Sequence, residues 1–297
     1  MVNKYNAKHT KNYFDNLAGG YFNAHAFRDE IFLELVLPEY LKKHKGKIKA
    51  LDFGCGGGAL LLRILEMGID GIGIEKHKKL CQLAQERLKN SGFLSQKIIR
   101  GSIKELDGLP KNSFDFIILM GVFQYLPYSQ REKLYRIIYR LLKPGGHMVA
   151  TFQNAFFDLF TFNKYTVDFF GQNIFKPLGL YKLLGKNIDN DLNKLITNPD
   201  KPDYSPKIAR DNIFVQTTNP LTIKEELSKY NLILLQKYFY TFFPLPRLIE
   251  NNYPKEKLEK FKKRFEVKRS QEWYGHFMAN AFLVDCIRSV EPEHEST

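Results

Sequence analysis

The segment Ala50 to Gly58, Ala-Leu-Asp-Phe-Gly-Cys-Gly-Gly-Gly, limits what this chain can fold into more than any other. An apolar run from Ile48 to Phe53 reads as a buried strand. It enters a turn with glycines at 54, 56 and 58, and a helical pattern from Ala59 to Met67 leaves the turn and stops at Gly68. Glycines in that alternation let the backbone bend sharply and let a ligand touch it, because no Cβ stands in the way. The amides of the turn and the open first turn of the helix then face that ligand. A strand, a glycine turn and a helix in this order predict an α/β layer with a ligand at the carboxyl edge of its sheet.

Glycines alone leave the ligand open, since Gly54-x-Gly56-x-x-Ala59 also fits a dinucleotide fingerprint. Asp52, two residues ahead of the first glycine, narrows the choice, although an acid here also suits a plain helix cap. Asp52-x-Gly54-x-Gly56-x-Gly58, together with Leu142-Lys143-Pro144-Gly145-Gly146 further on, resembles the motifs of the class I S-adenosylmethionine-dependent methyltransferases. The resemblance implies a Rossmann-like, seven-stranded, mostly parallel α/β sheet with an antiparallel last strand, here with helical and aromatic cap insertions. It also implies the cofactor S-adenosyl-L-methionine and the product S-adenosyl-L-homocysteine, with Asp52 near the methionine part. Four regions follow: an N-terminal helical segment over the cofactor (1–46), the cofactor-binding core (47–152), a cap insertion (153–219), and the rest of the sheet (220–297) with a second lid insertion (241–276).

Ahead of the core, Phe27, Ile31, Leu35 and the pair Phe32 and Val36 recur at helical spacing, and Pro38 marks a seam. In the resembling enzymes such a segment folds across the cofactor, which puts Tyr21 and Arg28 within reach of its carboxylate. Packing and a solvated charge are equally ordinary uses of these two residues. The second strand, Gly71 to Ile74, ends in Glu75, about twenty residues past the turn, where a carboxylate can accept both ribose hydroxyls. The helix after it, Lys78 to Lys89, is expected to turn Leu80, Leu83, Ala84 and Leu88 inward.

A third strand, Lys97 to Arg100, leads to Gly101, Ser102 and Ile103, the corner that flanks adenine in the family. Ser102 stands where an Asp is common, so the Ile103 backbone is an alternative reader. The fourth strand, Phe114 to Met120, is nearly continuous apolar residue, as expected of a strand covered on both faces. It ends in Gly121-Val122-Phe123-Gln124-Tyr125, which in the family passes beside the transferable methyl. The expected cofactor contacts are therefore Asp52, Gly54, Cys55, Gly56, Gly58, Glu75, Lys76, Ser102, Ile103, Met120, Gly121 and Gln124, with Tyr21 and Arg28 above them. A helix from Ser129 to Leu142 and a turn at Lys143 to Gly146 return the chain to a fifth strand, His147 to Phe152. Later strands are expected at Leu232 to Phe239 and Phe277 to Asp285, with a helix at Thr222 to Tyr230 ahead of them.

The connections 153–219 and 241–276 are long for loops. A fifth strand parallel to the first opens on the cofactor face, and an antiparallel last strand puts the second connection there too, so both should roof the site. The first insertion starts with Phe156, Phe157, Phe160, Phe162, Tyr165, Phe169 and Phe170. The second contains Lys255 to Arg269, eight Lys or Arg against three Glu, a local +5 in a chain of net charge +13. That stretch reads either as an amphipathic cap helix with a wet basic face or as a landing surface for an anionic substrate or a membrane-bound precursor.

In-line methyl transfer needs alignment of acceptor, methyl and sulfur, exclusion of water, and, for a hydroxyl acceptor, a route for its proton. His276, beside Trp273 and Tyr274, is the foremost candidate base, with His25 second; each is more often a packing residue. Gln124 and Tyr125 are polar wall candidates, Gln153 and Asn154 are placed to orient an acceptor with Trp273 and Tyr274, and His147 sits at the wrong end of its strand. No metal-ligand spacing appears. Cys55, Cys81 and Cys286 are scattered, the first residues lack a signal-peptide core, and no apolar run spans a bilayer, which points to the cytoplasm.

The expected acceptor is a small molecule or a carbohydrate- or lipid-linked precursor, methylated at oxygen, with peripheral membrane contact open and no transmembrane segment. An RNA methyltransferase fits the charge but lacks an Asn/Asp-Pro-Pro-Tyr tetrapeptide after the fourth strand, where Met120-Gly121-Val122-Phe123 stands. A non-catalytic cofactor-binding protein would carry the same glycine turn, and a nicotinamide dehydrogenase would share the turn without Asp52 or the Lys143-to-Gly146 segment.

Overall fold

The computed structural model describes residues 26–162, 164–185, 187–196, 215–243, 245, 254, 256–258 and 269–290. Tyr21, His25 and most of the basic stretch from Lys255 to Arg269 lie outside the described residues.

The chain enters as α1 (Ala26–Ile31), passes a π turn (Phe32–Val36) and continues as α2 (Leu37–Lys43). The expected seam at Pro38 is thus realised one turn earlier. Proline offers no N–H and its ring crowds the carbonyl four residues back, and the widened turn, closed by the Leu37 amide on the Phe32 carbonyl, relieves that crowding without breaking the helix. The core then alternates strand and helix: β1 (Lys49–Phe53), α3 (Ala59–Glu66), β2 (Asp70–Glu75), α4 (Lys78–Asn90), β3 (Ile98–Arg100), α5 (Ile103–Leu106), β4 (Phe114–Leu119), α6 (Tyr128–Leu141) and β5 (Leu142–Asn154). After the first insertion come β6 (Thr217–Thr218), α7 (Ile223–Ser228), β7 (Leu232–Phe242), α8 (Gly275–Met278) and β8 (Ala279–Arg288).

Among the described residues the sheet has eight strands in the order β3-β2-β1-β4-β5-β8-β7, with β6 paired to the end of β5. Strands β1 to β5 pair in parallel, and β8 runs antiparallel between β5 and β7. This is the expected Rossmann-like architecture. The extra strand β6 is two residues long, too short to leave a pattern in the sequence. It pairs Gln153 with Thr217 and Asn154 with Thr218, which brings the end of the first insertion back onto the carboxyl edge of the sheet.

Alternation along the strands sorts the core. Leu51, Phe53, Ile117, Leu119, Ala150 and Phe152 point toward α6, where Leu134, Tyr135 and Ile138 cover them. Ala50, Phe116, Ile118 and Val149 point to the opposite face, under Ile31, Phe32, Val36 and Leu37 of the entering helices. Asp52 shares the face of Ala50, so period two alone turns its carboxyl toward α1. On α4 the buried residues are Cys81, Ala84 and Leu88; Leu83, expected inside, is exposed and leans against Gly57.

The Leu142-Lys-Pro-Gly-Gly segment is a bulge inside the sheet rather than a turn ahead of it. Leu142 pairs with Phe114, Lys143 to Gly146 loop out against Asp115, and the ladder resumes at Phe116 with His147. An added Cβ on Gly146 would lie 2.9 to 3.2 Å from the carbonyls of Lys143, Phe114 and Asp115, so the bulge needs a residue without one. At their roots the two insertions meet through the rings of Phe157 and Phe243, and Phe156 stacks with Phe277 just past the second insertion. Among the described residues no helix is long and apolar enough to cross a membrane.

Candidate active site

The carboxyl ends of β1, β2 and β4 meet at the glycine turn. Gly54 and Cys55 both donate to the Ile74 carbonyl, which ties the turn to the tip of β2. Gly54, Gly56 and Gly58 all have φ between +55° and +76°, a region L side chains seldom adopt. Their surroundings differ. A Cβ on Gly54 would collide with Val122 at 2.6 Å, and one on Gly58 with Ala84 at 2.9 Å. A Cβ on Gly56 would meet nothing within 4 Å. Gly54 and Gly58 are therefore small because the protein packs on them, whereas Gly56 faces open space.

Glu75 closes one side of that space. Its Oε2 accepts the Gly56 amide at 2.9 Å and its Oε1 the His77 amide at 2.7 Å. Burial raises its pKa, and the amides of His77, Gly56 and Lys76 hold the rise back. Each carboxylate oxygen keeps a lone pair for a further donor. Asp52 lies on the other side, 2% exposed. Burial pushes its carboxyl up to about 7, with Asp29 and Glu75 adding to the rise and Arg28 opposing it.

Arg28 reaches the same space from α1. Its Nε donates to Asp29 Oδ1 at 2.9 Å, and a Cβ on Gly121 would sit 3.2 Å from its Nη1 and 3.7 Å from Gln124 Nε2. Gly121 itself has φ +77° and donates its amide to Thr151 Oγ1 at 2.7 Å, which turns the chain sharply at the tip of β4. The Gln124 side chain is buried and its Oε1 has no partner within the protein. Met120 is buried beneath this corner. Together these groups offer carboxylates short of donors, a guanidinium edge, an orphaned amide oxygen and a backbone cradle. That set fits a ligand with an ammonium, a carboxylate and a vicinal diol, as an adenosyl amino acid has.

Several expected contacts sit elsewhere or are already engaged. Ser102 is the N-cap of α5 in a capping box: its Oγ accepts the Lys104 amide, and Glu105 takes both the Ser102 amide and the hydroxyl, the latter at 3.1 Å. The signal was legible as Ser102-x-x-Glu105 ahead of an apolar residue. Lys76 is exposed at the rim. Cys55 is half-buried, and desolvation raises the pKa of its thiol well above the ordinary value.

On the acceptor side, Asn154 is corrected outright. It is fully buried, its Nδ2 donates to the carbonyls of Gly275, His276 and Ala279, and its Oδ1 takes the Phe156 amide. It fastens β5 to α8 and has no polar atom left for an acceptor. His276 points its Nδ1 at the Trp273 carbonyl (3.0 Å) and rests its ring on Phe239 of the edge strand β7, 4.5 Å between centroids. Burial lowers its pKa, with the Lys237 charge adding to that effect. The ring thus rests on β7, with β5 and β8 between that strand and β4, while the His276 carbonyl is held at the carboxyl end of β5 and Nε2 is buried without a protein partner. Trp273 is 71% exposed, and Tyr274 receives a long contact from Arg269. Gln153 is half-buried beside β6, where Gln216 donates its backbone amide to the Gln124 carbonyl at 2.8 Å. Gln216 also carries a buried amide oxygen without a protein partner, a feature that sequence reasoning missed because nothing local marks it.

Residues 51–150 match the family described as a methyltransferase domain. A ubiquinone biosynthesis O-methyltransferase of Methylococcus capsulatus is 32% identical over 98 residues, 33% of this chain and 40% of that protein. One from Acinetobacter baylyi is 24% identical over 139 residues, 46% of this chain and 58% of the relative. A sterol 4-C-methyltransferase of Caenorhabditis elegans is 26% identical over 122 residues, 41% of this chain and 34% of its own length. The chain thus spans about two to three fifths of the length of these two O-methyltransferases. Among solved structures, the magnesium protoporphyrin IX methyltransferase of Synechocystis with bound S-adenosylhomocysteine superposes with a TM-score of 0.51 at 12% identity, covering 96% of this chain and 95% of that one, a likeness of fold.

Proposed function

We propose that this chain, whose residues 51–150 match a methyltransferase domain, is a class I S-adenosylmethionine-dependent methyltransferase and methylates a small-molecule acceptor, at oxygen, in the space above Gly56 and Gly121. The observation that carries the reading is the open backbone at Gly56, held by Glu75 and flanked by the donor-poor Asp52. Two similar proteins are named as O-methyltransferases and one as a C-methyltransferase, which supports a small organic acceptor and favours oxygen.

When bound, the cofactor supplies a methyl already activated on a positive sulfur. The protein's own groups hold and aim. Asp52 accepts from the ammonium of the amino-acid tail, and its carboxyl ionises fully once that cation is beside it. Arg28 takes the carboxylate, with Tyr21 as a second donor. Glu75 receives the ribose hydroxyls on its remaining lone pairs. Lys76 and the backbone of Ser102 and Ile103 border the adenine, with the Ile103 amide rather than the engaged Ser102 hydroxyl as reader. Cys55, Gly54 and Gly58 set the bend, and Met120 and Gly121 form the floor under the reacting centre.

Gln124 and Tyr125 line the acceptor side, and Gln153 borders it. An amide cannot take a proton at neutral pH, so Gln124 orients the acceptor hydroxyl through its free Oε1, catalysis rests on alignment, and the hydroxyl proton is released to solvent. His276, Trp273 and Tyr274 then belong to the outer wall of the roof. A lipid- or glycan-linked acceptor and a membrane landing through the basic stretch are extensions of the same reading.

Calorimetry with S-adenosylhomocysteine tests it. The expected result is one site of micromolar affinity that is lost in Glu75→Ala. No association of the wild-type protein with the homocysteine product or with the methylated cofactor overturns the reading.

A further inference from the structure

Asp29 has no role in the motif that identifies this pocket, yet its carboxyl is buried against it. We propose that Asp29 is a positioning residue for Arg28: it holds the guanidinium by Nε so that the outer nitrogens face the amino-acid tail of the cofactor. The proposal rests on the cofactor reading above and deepens it.

Three observations converge. The two side chains are 14% and 13% exposed, so the pair is enclosed rather than a surface contact. The bond runs from Nε, at 2.9 Å to Oδ1, which leaves the two terminal nitrogens uncommitted to Asp29. Arg28 Nη1 stands 3.2 Å from the point where a Cβ on Gly121 would be, so the outer edge is delivered to the tip of β4, next to Gln124. A guanidinium is a planar fork: with Nε fixed, the plane is fixed, and the parallel N–H groups of the outer edge can meet a carboxylate two-pronged. Neighbours in a helix ordinarily point apart by more than a quarter turn. Here they curl together, at the start of α1, over the same spot.

Charge fits as well. Asp29 and Asp52 are two buried carboxyls with Arg28 between them; burial raises both, and Arg28 opposes the rise in each. A ligand bringing an ammonium to Asp52 and a carboxylate to Arg28 completes the alternation of signs.

The test compares two probes on the purified full chain: S-adenosylhomocysteine, which has the amino-acid tail, and 5′-methylthioadenosine, which has the same nucleoside and thioether without it. Asp29→Ala should weaken the first by about tenfold, the loss expected when a charge-assisted hydrogen bond to a carboxylate loses its geometry, and leave the second within about twofold, the usual noise of an independent site.

Asp29→Asn keeps an acceptor for Nε and should retain most of the affinity. Arg28→Ala should cost as much as Asp29→Ala, and the double variant no more than Arg28→Ala alone. Arg28→Lys, which keeps the charge but has no Nε, should lose the tail preference and become indifferent to Asp29→Asn; it serves where Asp29→Ala fails to fold. Equal loss for both probes, additive single effects, or an Asn variant as poor as the Ala variant overturns the positioning role. Wild-type protein that binds neither probe overturns the cofactor reading instead.

Discussion

The two ends of the central strands each bury acids, and they treat them in opposite ways. At the amino end of β4, Asp115 receives the Tyr40 hydroxyl at 3.1 Å, the Lys49 amide at 2.8 Å and the Lys143 ammonium at 2.7 Å. Nearby, His147 meets Asp285 at 2.7 Å. At the carboxyl end, Asp29, Asp52 and Glu75 are all pushed upward by burial, opposed by Arg28, by Arg63 at Asp29 and by a few backbone amides at Glu75. A carboxylate supplied with donors by its own chain is part of the scaffold. One left short of them lowers the stability of the empty protein and raises its appetite for a cationic, hydroxyl-bearing ligand.

Substitutions at the two ends should therefore separate stability from binding. The largest effect belongs to Glu75→Ala, which removes the proposed ribose acceptor and the brace of Gly56: calorimetry should show at least a ~100-fold loss of S-adenosylhomocysteine affinity, about 3 kcal/mol. Asp115→Ala should do the reverse, costing about 2–3 kcal/mol of stability by stranding a partly buried lysine and a tyrosine hydroxyl. Its thermal midpoint falls while the affinity of the folded fraction stays put; a matching loss of affinity would erase the contrast.

Asp52→Asn sharpens it through pH. The Asp52 carboxyl titrates near 7 in the folded protein against an ordinary 3.8, so the folded state binds its proton more tightly than the unfolded state. Ionising it costs stability that is absent below the ordinary value, grows as pH rises toward 7 and is constant above. The Asn variant should accordingly melt higher than wild type at pH 8 by about 1–3 kcal/mol equivalent, with the gain vanishing near pH 4, while cofactor affinity falls.

Gly56→Ala should fold with a cost of about 1 kcal/mol for its positive φ, yet bind poorly because the new methyl points into the cradle. Gly54→Ala, against Val122, should lose stability as well. The smallest change is expected from His276→Ala, whose effect on S-adenosylhomocysteine affinity should stay within about twofold, since its ring rests on Phe239 and its Nδ1 on the Trp273 carbonyl. A larger loss would move the histidine into the site.

Legibility followed the range of the interactions. The strand, glycine turn and helix were readable because each is set by neighbours in sequence: apolar runs, positive-φ glycines and a stop at Gly68. Glu75 was readable because a strand–helix–strand unit has a nearly fixed length. The capping box at Ser102 was equally local and was masked by the stronger expectation of an adenine contact. Asp29 gave no signal, because a charged residue in a helical pattern resembles any solvated one until the fold buries it. Asn154 had the pattern of a free polar end of a strand until α8 and the start of β8 arrived from more than a hundred residues away with three carbonyls.

The sequence by itself determined the alternation of strands and helices, the bend at residues 54 to 58 and the acids beside it, since short-range sterics and hydrophobic period settle these before any distant contact forms. Only the tertiary structure decided which polar groups would be left without partners. Whether Asp115 is quenched and Asp52 is not depends on which donors distant segments bring within about 3 Å, and a hydrogen bond at that range carries no trace in the local pattern of residues.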